Sequence, residues 1–513
     1  MRTIVVGAGH NGLACACYLA RAGHEVLVLE QSDKPGGGSR TDETVPGYRF
    51  DTHSVAHNII NMTGIPRELD LAGAGLEYRE MDPFAVALFA DGRRVRFHRS
   101  IERTVASIAE LDRREAERYR AFMADAVPIV AASTVGLQGG GLDRAAVGKL
   151  VRRAPEILGV FRRRGPALVG QLLGSYERVL RANLDSDLTR GPIAAFAAHA
   201  GASPLQAGGA FFALWQAAYH LYGQWHAVGG AQGLTDALVH RLEASGGVLR
   251  CDATVARLET RAGRVRAVVL EDGERLEADR VVTAIHPHAA LLELLDPPLA
   301  GAPGRDLRSA HAANSVQALL HVATDRLPPY TDARPGDWNG LQSYVDSLDD
   351  LQRSFAAADA RRLGPDPLAA YAFTTSAIDD TLAPSGHHTV YLACPAAPFR
   401  IDGGWDAAAE RFTESLLTQV EDRAPGFRDS IIGTAIQTPE HMERQLRWPG
   451  AHPLHLDVTP DQLSVLRPTA ALSSHRVPGV TGLYVSGAGT APVGGIAAAP
   501  GRAAARALLQ DLR

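Results

Sequence analysis

At the start of the chain apolar residues come in short unbroken runs cut by glycine, and further on they recur at helical spacing. Residues 3–6 read as a short buried strand. Gly7-Ala8-Gly9-His10-Asn11-Gly12 follows at once, then a helical run over 13–22, a turn at Gly23-His24, and a second apolar strand over 25–29 that ends on Glu30. This is a complete β-α-β unit. Residues 85–89 and 93–97, joined by Ala90-Asp91-Gly92, predict a β-hairpin. From Ile101 to Leu221 the pattern is mostly helical, broken at Gly139-Gly140-Gly141. A helix over 233–244, a turn at Gly246-Gly247 and a strand over 248–251 come next. Residues 254–259 and 265–270 flank Arg261-Ala262-Gly263, Glu271-Asp272-Gly273 makes another hairpin turn, and 280–284 is a buried strand. Residues 316–323, 369–375, 389–394 and 431–437 read as strands of a second sheet, with a helix over 406–421 lying on it. Near the far end Gly482-Leu483-Tyr484-Val485 feeds Ser486-Gly487-Ala488-Gly489-Thr490, and Gly494-Gly495-Ile496 is expected to open a helix through Leu509.

This order implies two interleaved domains. Residues 1–62, 227–290 and 480–513 would form a Rossmann-type α/β domain. Residues 63–226, a largely helical insertion, and 291–479 would form an α+β substrate domain. A chain of 513 residues exceeds one ordinary hydrophobic core, which agrees with that division. No internal repeat is evident.

The glycine spacing carries the first chemistry. Gly7 permits a tight turn, Gly9 lets the backbone approach a pyrophosphate, and Gly12 lets helix and strand pack closely. The helix N-terminus, at His10 and Asn11, then offers unpaired N–H groups and a partial positive charge to phosphates. Glu30, with Gln31 beside it, stands where a carboxylate would accept hydrogen bonds from ribose hydroxyls. The glycine cluster Gly36-Gly37-Gly38, followed by Ser39-Arg40-Thr41, is unnecessary for a nicotinamide cofactor and suits FAD, whose ribityl chain would lie against it. Arg40 is read either as a phosphate contact or as a solvated loop residue. Gly487, Gly489, Gly495 and Ile496 would meet the isoalloxazine, their backbone N–H groups stabilising the anionic reduced ring.

Composition narrows the rest. The chain is 46% hydrophobic and 21% charged with a net charge of −5, a globular balance that gives no general attraction to nucleic acid. Cys15, Cys17, Cys251 and Cys394 include no CxxC pair, so no dithiol exchange site is expected, and Cys15 and Cys17 are read as helix-packing residues. The first strand begins so early that a cleaved signal has no room, and a cytoplasmic location is expected. The longest weakly charged stretch, 193–223, contains His199, Pro204, Gln206, Gln216 and His220, so no spanning helix is expected. Residues 148–165 combine Lys149, Arg152, Arg153, Arg162, Arg163 and Arg164 with apolar positions. They suit either peripheral contact with a membrane surface or a solvated basic face, with Pro155 expected to interrupt the helix. No metal site is expected.

The two glycine-rich ends, with Gly229-Gly230-Ala231-Gln232-Gly233-Leu234, Ala278-Asp279-Arg280-Val281-Val282-Thr283-Ala284, Asp461-Gln462-Leu463, Leu466-Arg467-Pro468 and Ala499-Pro500-Gly501-Arg502, resemble the phytoene (carotenoid) desaturase-like flavoproteins. The similarity points to the branch named after pyridine nucleotide-disulfide oxidoreductase domain-containing proteins. The matches run in order from Met1 to Ala505 and thin out between 99 and 217. One departure is visible: many relatives carry Gly-Gly-Arg after the acidic ribose residue, whereas here the arginine waits until Arg40. The resemblance implies the two-domain amine oxidase-like fold, FAD as cofactor, and Val255 as the backbone clamp on adenine.

It also implies the activity: an FAD-dependent dehydrogenase or oxidase that abstracts hydride from a C–H bond of a small, largely apolar metabolite, desaturating it. Oxygen or a quinone would take the electrons. A redox-neutral isomerase or cyclase, and a non-redox lipid-binding protein, remain as alternatives. Little acid-base chemistry is needed, since the flavin does the redox step. His455, in the run His452-Pro453-Leu454-His455-Leu456-Asp457, is a candidate base or substrate donor. His57 and His53 follow Asp51 in a segment expected near the flavin. Trp215, Tyr219 and Tyr222 recur at helical spacing, with His220, Trp225 and His226 among them, and suit a pocket wall or a helix core face. Tyr219 is the candidate from that run.

Overall fold

The strand Arg2–Val6 runs at the centre of a five-stranded parallel sheet. Glu25–Leu29 and Arg280–Thr283 flank it, with Val5 opposite Val28 on one side and Val282 on the other. Val248–Arg250 and Leu483–Val485 form the two edges. The structure, a computed structural model, describes residues 2–139, 144–492 and 494–513. Gly140 and Gly141 of the expected glycine break lie outside them. The central strands are covered on both faces, which is why their sequences are continuously apolar and do not alternate. Helix His10–Arg21 packs on one face between Gln232–Ala244 and Ala499–Gln510. Cys15 and Cys17 are fully buried in this layer, and burial pushes the Cys17 thiol up to about 12.

A second sheet has seven strands, in the order Ile431–Gln437, Ser315–Thr324, His388–Pro398, Tyr371–Phe373, Leu341–Ser343, Ala85–Leu88 and Arg94–Phe97. The hairpin foreseen from Ala90-Asp91-Gly92 closes one edge, with Ala85 opposite Phe97. Helix Trp405–Glu421 seals one face through Phe412, Leu416 and Val420. The helical region covers the other, bringing Tyr119, Phe122, Tyr176 and Phe196 onto the strands.

Three local expectations change. The last helix begins at Ala499, not at Gly494, because Gly495 turns the chain at φ +76° and Pro500 suits a first helical turn. Gly501 then lies so close to the first helix that a Cβ there would sit 2.1 Å from the Asn11 carbonyl oxygen. Helix Arg144–Arg164 runs through Pro155 without stopping. Asp125 holds its C-terminal end, accepting from Arg163 at 2.8 Å and pairing also with Arg164. Finally, the stretch Arg113–Gln138 is apolar and long enough to cross a membrane, a property not foreseen there. Its Tyr119, Phe122, Met123 and Val130 are buried inside the protein and Asp112 caps its N-terminus, so it packs as a core helix.

Candidate functional site

A cavity of about 670 Å³ lies where the two sheets approach each other. From the first glycine motif it is lined by Gly7, Gly9, His10 and Asn11, from the second strand's end by Glu30 and Gln31, and from the following loop by Gly37, Gly38 and Arg40. Val255 and, from the far end of the chain, Gly487, Gly495 and Ile496 complete the same wall. Residues more than 450 positions apart thus meet: the His10 Nε2 donates to the Gly495 carbonyl at 3.0 Å.

The glycines of the first turn serve different ends. A Cβ on Gly12 would lie 2.0 Å from the Gly7 carbonyl oxygen, and one on Gly7, at φ +98°, would lie 2.8 Å from Ile285. Both positions are closed by the protein itself. At Gly9, however, the nearest heavy atom to a Cβ would be the Gly36 carbonyl oxygen at 3.9 Å, and the backbone there is ordinary extended, φ −69°. Gly9 is therefore small for something other than the protein. It is the N-cap of helix His10–Arg21, which has no capping side chain, so its first-turn N–H groups are left for a ligand. Glu30 is fixed by the amides of Ala8, at 2.8 Å, and Ser32, at 3.0 Å, one on each carboxylate oxygen. Those oxygens keep further lone pairs for hydroxyl donors.

Three of the expected cofactor contacts stand behind the wall, not in it. Gly12 is the helix-strand contact just described. Ser39 is fully buried, its hydroxyl donating to the Ala231 carbonyl at 3.0 Å. Gly489 backs onto His455 and Pro287, where a Cβ would fall within 3.2 Å of both. Arg40 reaches the cavity with its charge already met: its Nε donates to Asp42 at 2.8 Å and a terminal nitrogen to Asp33 at 3.2 Å.

Trp448 escaped the sequence reading. A Cβ on Gly38 would lie 2.8 Å from its indole, so Gly38 is small because Trp448 lies on it. The Trp448 ring centroid is 5.2 Å from His53 and 5.3 Å from His455, and His455 stacks in turn on His286 at 5.2 Å. A lone tryptophan amid Arg444, Arg447 and Pro449 was the available signal. Arg467 was quoted only as part of a motif. Its buried guanidinium donates to the carbonyls of Asp457 at 2.9 Å, Gln462 and Leu456 at 3.0 Å and Ala488 at 3.3 Å, clamping the loop that carries His455.

Of the candidate catalytic residues, His455 and Tyr219 line the cavity. His57 does not. It is fully buried, its Nδ1 2.8 Å from the Tyr78 hydroxyl, and the adjacent turn presents His53 to the cavity in its place. The run from Trp215 to His226 divides. Trp215 and Tyr219 face the cavity, His220 accepts from the Tyr119 hydroxyl at 2.7 Å inside the core, and His226 pairs with Asp379 at 2.9 Å.

Residues 12–394 match the family model described as flavin containing amine oxidoreductase. The chain belongs to this family. Pyridine nucleotide-disulfide oxidoreductase domain-containing protein 2 of Rattus norvegicus is 31% identical over 99% of this chain and 93% of its own length. The lycopene-forming phytoene desaturase of Pantoea ananas is 27% identical, with 99% of each covered. An oxidoreductase from Methanosarcina mazei shares the fold with a TM-score of 0.62 at 17% identity, covering 99% of this chain and all of the other.

This flavin oxidoreductase uses FAD, and its residues fit that group. The open space at Gly9 beside an uncapped helix N-terminus suits the pyrophosphate, Glu30 the ribose, and Gly487 and Gly495 the ring. Along this wall burial keeps the imidazoles neutral. Burial lowers His10 to about 4 and His53 to about 3, and burial together with the neighbouring His286 and Arg467 holds His455 well below the ordinary histidine range. His455 sits in the left-handed region at φ +67°, and its Nδ1 is buried without a hydrogen-bond partner among the described residues. It can donate or accept a hydrogen bond, but it is not a cation.

Proposed function

We propose that the protein desaturates a small, largely apolar metabolite. The observation that carries this reading is the cavity wall beyond the flavin-binding turns, where Phe196, Phe211, Phe212, Trp215, Phe373 and Met442 face one another. Such a wall excludes water and binds by area, holding a C–H bond in place without supplying charge. FAD, when bound, would supply the hydride acceptor, with oxygen or a quinone as the final oxidant. Trp448 and His53 close the wall beside the Gly38 loop, and neutral His455 offers a hydrogen bond without the field a cation would impose. A related phytoene desaturase supports the same class of chemistry.

The test is anaerobic. Purified FAD-bound protein is mixed with a panel of polyenes and terpenoids, and the visible flavin bands are followed. Bleaching with formation of a product carrying one more C=C bond is expected, slowed by His455→Ala with FAD retained. Bleaching by simple amines but by no apolar compound would replace this reading with amine oxidation. Isomerised product without bleaching would replace it with redox-neutral chemistry.

We extend the reading to a lipid surface as the source of substrate. Val151, Leu158 and Phe161 are exposed on helix Arg144–Arg164, Phe161 beside the basic Arg162, and Leu173, Leu205 and Val465 are exposed near the Gly208 and Leu463 side of the cavity. Apolar side chains flanked by cationic ones suit an anionic bilayer. Co-sedimentation with phosphatidylglycerol vesicles is expected to drop in the double variant Leu158→Glu, Phe161→Glu. Equal sedimentation of both proteins would remove the lipid surface from the reading.

A further inference from the structure

The apolar lobe of the cavity is not wholly apolar. Tyr219 and Tyr371, both buried, line it, and their hydroxyls make none of the hydrogen bonds that neighbouring tyrosines make, Tyr119 to His220 and Tyr391 to the His53 carbonyl, among the described residues. His199 lines it as well, and its Nδ1 is buried and unpaired. The three belong to one cluster. His199 lies 5.5 Å from Tyr371 between ring centroids, and Phe196 bridges His199, at 6.4 Å, and Tyr219, at 5.0 Å. Gln317 fixes the histidine's backbone, its Nε2 donating to the His199 carbonyl at 2.7 Å. These groups come from three separate parts of the fold: helix Asp187–Ala198 and the residue after it, helix Gln216–Tyr222, and strand Tyr371–Phe373.

Buried donors and acceptors are normally paired, and an unpaired set converging on a cavity calls for a partner from the ligand. A pure hydrocarbon would leave all three unmet. The chemistry of the set limits that partner. Burial raises the two phenols above their ordinary value, so they remain O–H donors, and lowers His199 to about 4, so it is neutral. The cavity wall contributed by helices Asp187–Ala198, Ala210–Leu214 and Gln216–Tyr222 and by strands Ser315–Thr324, Tyr371–Phe373 and His388–Pro398 carries no charged side chain. Glu443, Arg444 and Arg447 line the cavity beside Met442, but the elements that carry Tyr219, Tyr371 and His199 offer a carboxylate no cation and an ammonium group no anion.

We propose that Tyr219, Tyr371 and His199 form a polar subsite that holds a neutral oxygen, a hydroxyl or a carbonyl, on an otherwise apolar substrate. The subsite rests on the reading of the cavity as an apolar-metabolite site and makes it narrower. It would fix the chain's register and so decide which C–H bond is presented.

The matched probes farnesol and farnesene test it, since they share a carbon skeleton and differ by one hydroxyl. Their dissociation constants are read from the shift of the visible FAD bands in the flavin-bound protein. Farnesol is expected to bind more tightly by on the order of tenfold, the scale of one satisfied buried hydrogen bond. Tyr371→Phe and His199→Leu, each checked for retained FAD, are expected to reduce that preference, read in each variant as the ratio of its own farnesol and farnesene constants. Equal constants for the pair, or a preference that survives both substitutions, would overturn the subsite and leave the apolar cavity standing. If neither probe moved the bands, the apolar-metabolite reading itself would fall, and the subsite with it.

Discussion

Gly9→Val protein is expected to fold and to purify colourless. The added Cβ meets no protein atom closer than the Gly36 carbonyl oxygen, at 3.9 Å, and valine accepts the φ of −69° at this position. What it fills is the space beside the uncapped helix N-terminus that the FAD pyrophosphate requires. Gly12→Ala is the contrasting case. Its Cβ would lie 2.0 Å from a backbone oxygen, so helix His10–Arg21 must move off the sheet. The cost should exceed the roughly 1–3 kcal/mol of an ordinary overpacked core, because backbone yields less than side chains do. An absorption spectrum and a thermal melt separate the two: normal melting without flavin bands for Gly9→Val, and lowered melting or no soluble protein for Gly12→Ala. A yellow Gly9→Val protein would mean that the pyrophosphate lies elsewhere.

The second large effect is acid sensitivity. His10, His53, His286 and His452 are lowered from an ordinary 6.5 to about 4 for the first and about 3 for the others, chiefly by burial. Each stays neutral in the folded protein and is free to protonate once unfolded. The unfolded chain therefore takes up protons first as pH falls through 6.5. The contribution of these groups to stability is whole above that pH and is lost progressively down to their folded values. Each withdraws at most about 1.4 kcal/mol per pH unit over that window. A few such groups acting together approach the whole stability of a domain, about 5–15 kcal/mol. Melting temperature should be level from pH 7 upward and fall steeply below pH 6.5, with FAD released as the wall carrying His10, His53 and His455 opens. A melt that stays level down to pH 5 would show that these imidazoles are charged in the folded state.

What could be read from the chain was mostly what is local. The turn from Gly7 to Gly12, the acid at Glu30 and the hairpin at Ala90-Asp91-Gly92 each complete their signal within a few residues, and the structure has strand, helix and turn in those places. The meeting of both chain ends was also legible, because each end carries its own glycine turn. Contacts across the fold were harder to see. Trp448 matters because it lies on Gly38, and Arg467 because it gathers carbonyls from 454–488, neither of which has a sequence period. His53 and His57 illustrate the same limit. They are four residues apart on one irregular segment, and the segment's bend decides which of them faces the cavity. At the far end, Gly494-Gly495 signalled a close approach to another group, but the helix itself starts only after the turn that Gly495 makes.

The strand Leu483–Val485 at the edge of the parallel sheet has a consequence for biosynthesis. Its partner Arg280–Thr283 has been translated some two hundred residues earlier, and the first strand earlier still. The wall formed by Gly487 and Gly495 is therefore the last part of the pocket to leave the ribosome. Throughout most of translation the nascent chain presents Gly9 and Glu30 with half a cradle, its parallel sheet missing an edge. Holding the prosthetic group must therefore await the synthesis of Gly487 and Gly495, and until then the nascent chain must keep its apolar cavity wall from aggregating.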